Sequence, residues 1–373
     1  MSVGPLASVL LSAALFGVSV PLSKLLLGGM QPVALAGILY LGSFVGLSVY
    51  SLALRALRGQ PITAIRGASP AGQFPPGGAV PPNKGRREAK LERKDWPWLA
   101  GAIVTGGIVG PVCLLAGLGR ISGFSASLFL NFEGVATAAI AVVLFGENAG
   151  RRLWLALALM TAAGVALSWN AGNGRFSLAG PVLVVLAMLG WGLDNNLTRR
   201  ISDKDPVAIA RVKGLAAGAV STAAAFLLGQ GARPDGAAAK GLAVGAVCYG
   251  LSLVLFIRGL KGLGAFRAGA FFSLAPFVGA LASLRLLGDT LRWPMAAAGL
   301  LMAAGVALIV TERHTHVHRH ERTAHAHSHS HDDGHHGHAH EGAVEEPHSH
   351  EHVHEETEHA HGHWPDTHHR HGH

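Results

Sequence analysis

The sequence predicts an all-α integral membrane protein: ten transmembrane helices built as two inverted five-helix repeats, followed by a disordered tail. Three observations carry this reading. Apolar runs of bilayer length recur along the chain, a long stretch of it is duplicated, and its composition changes abruptly near residue 313.

Half of the 373 residues are hydrophobic and 14% are charged, too apolar a balance for a soluble chain with a charged surface. All 23 histidines lie in residues 314–373, which also hold 3 Lys/Arg and 11 Asp/Glu. Residues 1–313 hold 27 Lys/Arg and 11 Asp/Glu. Body and tail are therefore separate physical objects.

The apolar runs fall at roughly 5–27, 32–54, 98–118, 121–146, 152–170, 178–198, 206–229, 239–260, 264–288 and 293–311. At 1.5 Å rise per residue, each can cross a hydrocarbon core of about 30 Å as a helix. A helix satisfies its own backbone there, so an α bundle is expected. No Lys or Arg precedes the first run and nine more follow it, so it reads as a membrane helix and not as a signal peptide.

The duplication centres on Gly117–Glu147, which repeats at Gly259–Asp289, 142 residues on. Gly117/Gly259, Phe124/Phe266, Ala126/Ala268, Phe129/Phe271 and Gly146/Gly288 are identical. The motif AAGVAL occurs at 162–167 and again at 303–308. Upstream, Pro32–Ala36 matches Pro206–Ala210 at an offset of 174, and Gly17 matches Gly192 at 175. The offset drops from 174 to 142, so the first copy carries about 32 extra residues. The domains read as 1–170, 171–313 and the tail 314–373.

Five helices per copy is an odd number, so the second copy enters the membrane inverted. Inverted repeats build many secondary transporters, with a site near the midplane where the halves meet. With the N-terminus in the cytoplasm, the inward connections carry 17 Lys/Arg and the outward ones six. Without the 56–95 loop the comparison is nine to six. Both termini are expected inside, in an inner or plasma membrane. The extra residues form the 56–95 loop, Pro/Gly-rich and then basic. It reads as a solvated linker, with attraction to anionic headgroups as the other reading.

Gly42/Gly46 and Gly214/Gly218 read as close helix packing. Pro21, Pro111, Pro181 and Pro276 are expected to kink their spans. Cys113 and Cys248 lie in apolar runs and read as inert thiols.

Ionisable groups within spans carry the functional reading, because each is costly unless paired or wetted. Glu133 lies near the middle of its span, with Asn131 and Ser127 on nearby faces. It is a candidate for proton uptake and release facing a central cavity; structural hydrogen bonding to a neighbouring helix is the alternative. Asp194 and Asn195 close the sixth span, and Arg211 and Lys213 open the seventh at the same level, either as a substrate pathway or as an ion-paired hairpin. Arg285 could snorkel outward or line a cavity for an anionic group.

These residues resemble the drug/metabolite transporter superfamily, specifically its EamA-type members. The resemblance rests on SASLFLNFEGVATAAIAVVLFGE, FFSLAPFVGALASLRLLGD, the two AAGVAL motifs, and WGLDNNLTRRIS followed by DPVAIARVKG. It covers about residues 5–311. It implies ten helices in two inverted halves and transport, often export, of small metabolites such as amino acids and their derivatives. It supplies no binding residues that carry over. The 56–95 loop and the tail depart from the family's pattern.

The tail is polar and of low complexity, with no means of packing a core. His325, His327, His329, His331, His335, His336, His338 and His340 are candidate ligands for Zn²⁺, Ni²⁺ or Co²⁺, with affinity rising as imidazoles deprotonate. Buffer or sensor, loading arm and functionless drift all fit the tail. The chain is thus expected to carry a small metabolite, with a transition-metal exporter and a non-transporting metal sensor or buffer as alternatives. The spans contain no His, which disfavours the exporter. No nucleophile–base pair, nucleotide-binding glycine loop or HExxH helix occurs, so no enzyme and no required cofactor are expected. The expected partners are the lipid bilayer, a small-molecule substrate and divalent metal ions, and not nucleic acid; a homodimer stays open.

Overall fold

In a computed structural model of the chain, the described residues are 4–57, 91–145, 151–169, 178–201, 204–231, 236–310, 314–320, 323–329, 348–354 and 357–363. They belong to two units, Met1–Val310 and Thr311–His373. The Pro/Gly part of the 56–95 loop lies outside the described residues.

Each of the ten apolar runs contains helix in its described residues. The first two spans are α1 (Pro5–Leu26) and α2 (Pro32–Leu57). The third is composite: a 3₁₀ turn (Arg93–Asp95), α3 (Trp96–Ala102), a π-helical turn (Ile103–Val109) and α4 (Gly110–Leu118). The fourth is α5 (Gly123–Phe129) and α6 (Phe132–Phe145), the fifth α7 (Arg151–Trp169). The second copy brings α8 (Ala179–Arg199) and α9 (Pro206–Leu227). Its third span is α10 (Gly236–Val244), a π-helical turn (Gly245–Leu251) and α11 (Ser252–Phe272), which runs on into the next span. It ends with α12 (Ala275–Leu286) and α13 (Trp293–Val310).

Local chemistry sets the ends. Prolines open α1 and α9, where no helical N–H is lost. Asp205 caps α9 by accepting from Val207 N and Ala208 N at 2.8 and 3.2 Å. Gly229 and Gly288, at φ 68° and 67°, take the left-handed turns that follow α9 and α12. Two of the four expected proline kinks are corrected. Pro21 sits in a helix interior and Pro111 within the continuous third span, whereas Pro181 and Pro276 lie in the first turns of α8 and α12. The first turn has orphan N–H groups already, so proline breaks no bond there.

Seven helices are long and apolar enough to cross a membrane, and Trp154–Ser168 and Trp293–Leu308 are shorter apolar helices. Leu227 and Trp293 are 90% and 83% exposed, while Ser8, Ser12, Ser19 and Ser23 are buried. An apolar exterior of this kind suits lipid.

The duplication governs the packing. The two π-helical turns fall 142 residues apart at both ends. The fourth span of each copy is interrupted within one residue of the same place, at 130–131 and 273–274. Contacts come in mates: α1 packs on α11 and α12, and α8 on α4 and α6. The second helix of one copy packs on that of the other (α2 with α9), as do the fifth helices α7 and α13. A Cβ on Gly17 would meet Ala275 O and Gly279 N, and one on Gly192 would meet Ala136 C and Thr137 N, so glycine permits both crossings. Gly42 and Gly46 press on Leu242 and Ala246, and Gly214 and Gly218 on α2 near Phe44 and Leu41. One apolar core, from Val20 and Leu35 through Phe129 and Met188 to Met302, draws on both copies.

At the end of the bundle that bears the 56–95 loop, the second copy holds the start of the third span. Lys204, 4% exposed, lies 3.6 Å from the buried Asp95 carboxylate and 3.4 Å from Glu92. Asp95 also accepts from Glu92 N at 2.7 Å, and Leu99, Ile201 and Ile209 pack beneath. A hydrogen bond from Lys94, with the charge of Lys204, holds the Glu92 carboxyl below its ordinary value of 4.5. That contribution is present above pH 4.5 and is lost as pH falls through the depressed value.

In the tail, β1 (His314–His320) pairs with β4 (Thr357–His363) and β2 (Thr323–His329) with β3 (His348–His354), both antiparallel. Strict alternation of His with other residues has the period of a strand.

Lys204→Met should lower stability by about 3 kcal/mol, because it leaves the Asp95 carboxylate buried without its cation. Lys94→Ala, at an exposed pair, should leave thermal unfolding in detergent almost unchanged.

Candidate functional site

α6 begins just after the interruption at 130–131, so Glu133 stands in its first turn. The crossing of α8 at Gly192 brings Asn195 against it. The Asn195 amide donates to Glu133 Oε1 at 3.0 Å and to the Thr137 hydroxyl at 3.1 Å. Asn196 donates to Thr137 O at 3.0 Å and to Gly192 O at 2.8 Å, which locks α8 to α6. Asn195 is exposed, Glu133 is partly so, and nothing lies within 4 Å of where a Gly134 Cβ would stand. Among the described residues no Lys or Arg forms an ion pair with Glu133.

One residue back, Asp194 turns to a different face of α8. Lys213 of α9 holds it at 2.6 and 2.5 Å, and the Thr198 hydroxyl donates to it at 2.9 Å. The carboxylate stands where a Cβ on Gly106 would be, so the glycine of the π-helical turn makes its room. The Gly106 carbonyl accepts from Tyr40 Oη at 2.8 Å and from Trp191 Nε1 at 2.9 Å. A π turn displaces a carbonyl from the regular ladder, and here one donor from each copy satisfies it. Arg211, the other cation of α9, donates instead to Ser48 at 3.2 Å.

The structure brings together Glu133, Asn195 and, on the adjacent face, Asp194. It does not add the other three sequence candidates. Ser127 is fully buried against Gly279 of α12, and its hydroxyl has no partner among the described residues. The buried Asn131 amide donates to Leu128 O at 3.0 Å and so serves the interruption itself. Arg285 is exposed in the last turn of α12 and forms no hydrogen bond or ion pair to the cluster among the described residues. Residues not singled out from sequence are Thr137, Thr198, Tyr40, Trp191 and Gly106. Tyr40 and Trp191 carried a usable signal, since a buried Tyr or Trp seeks an acceptor for its polar hydrogen.

The chemistry is one-sided although the fold is two-fold. At the repeat offsets, Ser19 stands where Asp194 does, Ala275 for Glu133, Gly279 for Thr137 and Leu39 for Lys213. Ser19 merely donates to Phe16 O at 2.6 Å. At the opposite end of the bundle Lys24 donates to the carbonyls of Leu118 and Ile121 at 2.8 and 2.5 Å, and Asp289 accepts from Phe124 N at 2.9 Å. The copies are thus tied by polar contacts at both ends as well as at the site. Among the described residues of Met1–Val310, no group of three or more His, Cys, Asp or Glu side chains is fit to hold a metal.

The EamA-like transporter family model matches residues 81–169 and again 178–311. An "Uncharacterized transporter" of Methanothermobacter thermautotrophicus is 26% identical over 311 residues, covering 81% of this chain and 84% of that protein. "Uncharacterized protein PA1977" of Pseudomonas aeruginosa is 33% identical over 181 residues, 48% of this chain and 61% of that one. A solved structure described as "Crystal structure of protein" superposes with a TM-score of 0.54 at 18% identity, covering 83% of this chain and 96% of its own; it shows the fold. Two successive matches to one family model, over more than half the residues and on the two copies seen in the packing, place the chain in the EamA-like transporter family.

Proposed function

We propose that the chain is a secondary transporter of a small organic metabolite, coupled to protons through Glu133, and that the tail handles divalent metal separately. The observation that carries the proton step is the Glu133–Asn195 contact. It joins the fourth helix of one copy to the first helix of the other, beside open space at Gly134. A carboxylate with one neutral donor is poorly stabilised in a span. A proton or a cationic group on the cargo neutralises it, and exchange between the two couples their movement. Asp194, already neutralised by Lys213, is the fixed member that holds α8 against α9. Asn195 donates to Thr137 as well as to Glu133, so it can follow the carboxyl through both states. The family match favours a carrier over an enzyme.

The Lys/Arg distribution favours an inner- or plasma-membrane protein with both termini in the cytoplasm. The domains are the first repeat to residue 170, the second to 313, and the tail. Transport of a transition metal is the weaker alternative, because all 23 histidines fall outside the spans.

Glu133→Gln keeps the shape and the Asn195 partner but removes the exchangeable charge. In proteoliposomes given a proton gradient and a labelled amino-acid mixture, it should reduce gradient-driven uptake or release to that of empty vesicles, with thermal unfolding unchanged. Undiminished gradient-driven flux would return Glu133 to a structural role. A reporter fused after Glu312 should behave as cytoplasmic, and alkaline phosphatase activity from that fusion would reverse the orientation. Deleting residues 314–373 should alter zinc, nickel or cobalt tolerance in cells while Glu133→Gln leaves it alone. If Glu133→Gln changes tolerance in the same way, metal is the cargo.

A further inference from the structure

We propose that zinc closes the tail into two histidine ladders, each metal site taking ligands from both the 314–329 arm and the 348–363 arm. This rests on the reading that the tail binds metal, and it assigns a different ligand set from the contiguous run 325–340. The observation is the strand register. His314, His316 and His318 have His363, His361 and His359 as their Cα partners. His325, His327 and His329 have His352, His350 and His348. The intervening pairs are Thr315/Gly362, Val317/Ala360, Arg319/Glu358, Ala324/Val353, Ala326/Glu351 and Ser328/Ser349. A slip of one residue in either ladder would set every one of these histidines against a residue of another kind.

Residues i and i+2 share a face of a strand, and opposed residues share a face of the pair. The positions His316, His318, His359 and His361 therefore form a four-membered set on one face, as do His325, His327, His350 and His352. Two-strand spacings are about 5 Å across and about 7 Å along, within reach of imidazoles that converge on one ion. Four nitrogen ligands suit tetrahedral zinc. An isolated two-stranded ribbon is marginal in water and this one has no apolar face to bury, so the metal supplies the stabilisation that pairing lacks. Of the eight histidines singled out from sequence, His325, His327 and His329 lie in β2, and the other five lie outside the described residues.

The test uses the full chain in detergent, with Zn²⁺ as the probe. Spin labels go on Ser328→Cys and Ser349→Cys in a Cys113→Ala, Cys248→Ala background. Zinc should shift the label pair to a single short distance, and EDTA should reverse it. Replacing the six paired histidines of either arm by Ala should weaken tight zinc binding at least tenfold and abolish the short distance, equally for both arms. Replacing His331, His335, His336, His338 and His340 should leave the distance and the tight sites in place. If that last variant loses the tight sites while the arm variants keep them, or the labels stay apart at saturating zinc, the ladders are wrong and the metal-binding tail stands. If the unsubstituted chain binds no more zinc than the chain without 314–373, both readings fall.

Discussion

The Gly106 carbonyl sits in a π-helical turn of a membrane span, and two side chains from different copies donate to it. This contact expresses the constraint on which the rest of the structure depends. In hydrocarbon, each departure from the regular helical ladder needs a partner within the protein. Tyr40 and Trp191 meet that need, and the missing side chain of Gly106 leaves room for Asp194. Once Asp194 stands there it must be neutralised, and α9 brings Lys213 to it. Irregular backbone, close helix approach and a charged pair are therefore one arrangement. In the second copy the residue that follows the π turn is tied differently: Ser252 and Ser12 exchange hydrogen bonds between α11 and α1, at 2.7 and 3.0 Å.

The same constraint explains the fourth spans. Both are interrupted at matching places, and the interruptions are held by short local contacts, the Asn131 amide to Leu128 O in one and Ser273 Oγ to Ala270 O in the other. An interruption starts a new helix inside the membrane, and in the first copy that new helix carries Glu133 in its first turn. The second copy has Ala275 there. Duplication supplied a two-fold frame, and divergence left a titratable group on one side of it only.

Body and tail obey different physics. The bundle is held by close packing of small residues and by internally satisfied backbone, and its polar pairs add to a fold already specified by apolar runs. The tail has no such material. Its order derives from a two-residue alternation that gives a register but no core.

Much of this was legible in the chain before any coordinates. Ten bilayer-length runs, the 142-residue offset and the concentration of His after 313 determined the helix count, the duplication and the separation of the tail. These are properties of composition and spacing, and the hydrophobic effect acts on composition. The depth of Glu133 in its run and the closeness of Asp194 to Lys213 were readable for the same reason. The identity of Glu133's partner was not. Asn195 is 62 residues away in sequence, and only the α6–α8 crossing at Gly192 decides that it donates to Glu133 while its neighbour Asp194 faces Lys213. Tertiary packing also removed Ser127, Asn131 and Arg285 from the cluster. Helical periodicity restricts which residues share a face, but the face that meets another helix depends on where glycines let backbones approach. It was likewise the third dimension that made the prolines of α8 and α12 helix starts instead of kinks, because a proline's effect depends on whether its missing N–H had a partner to lose.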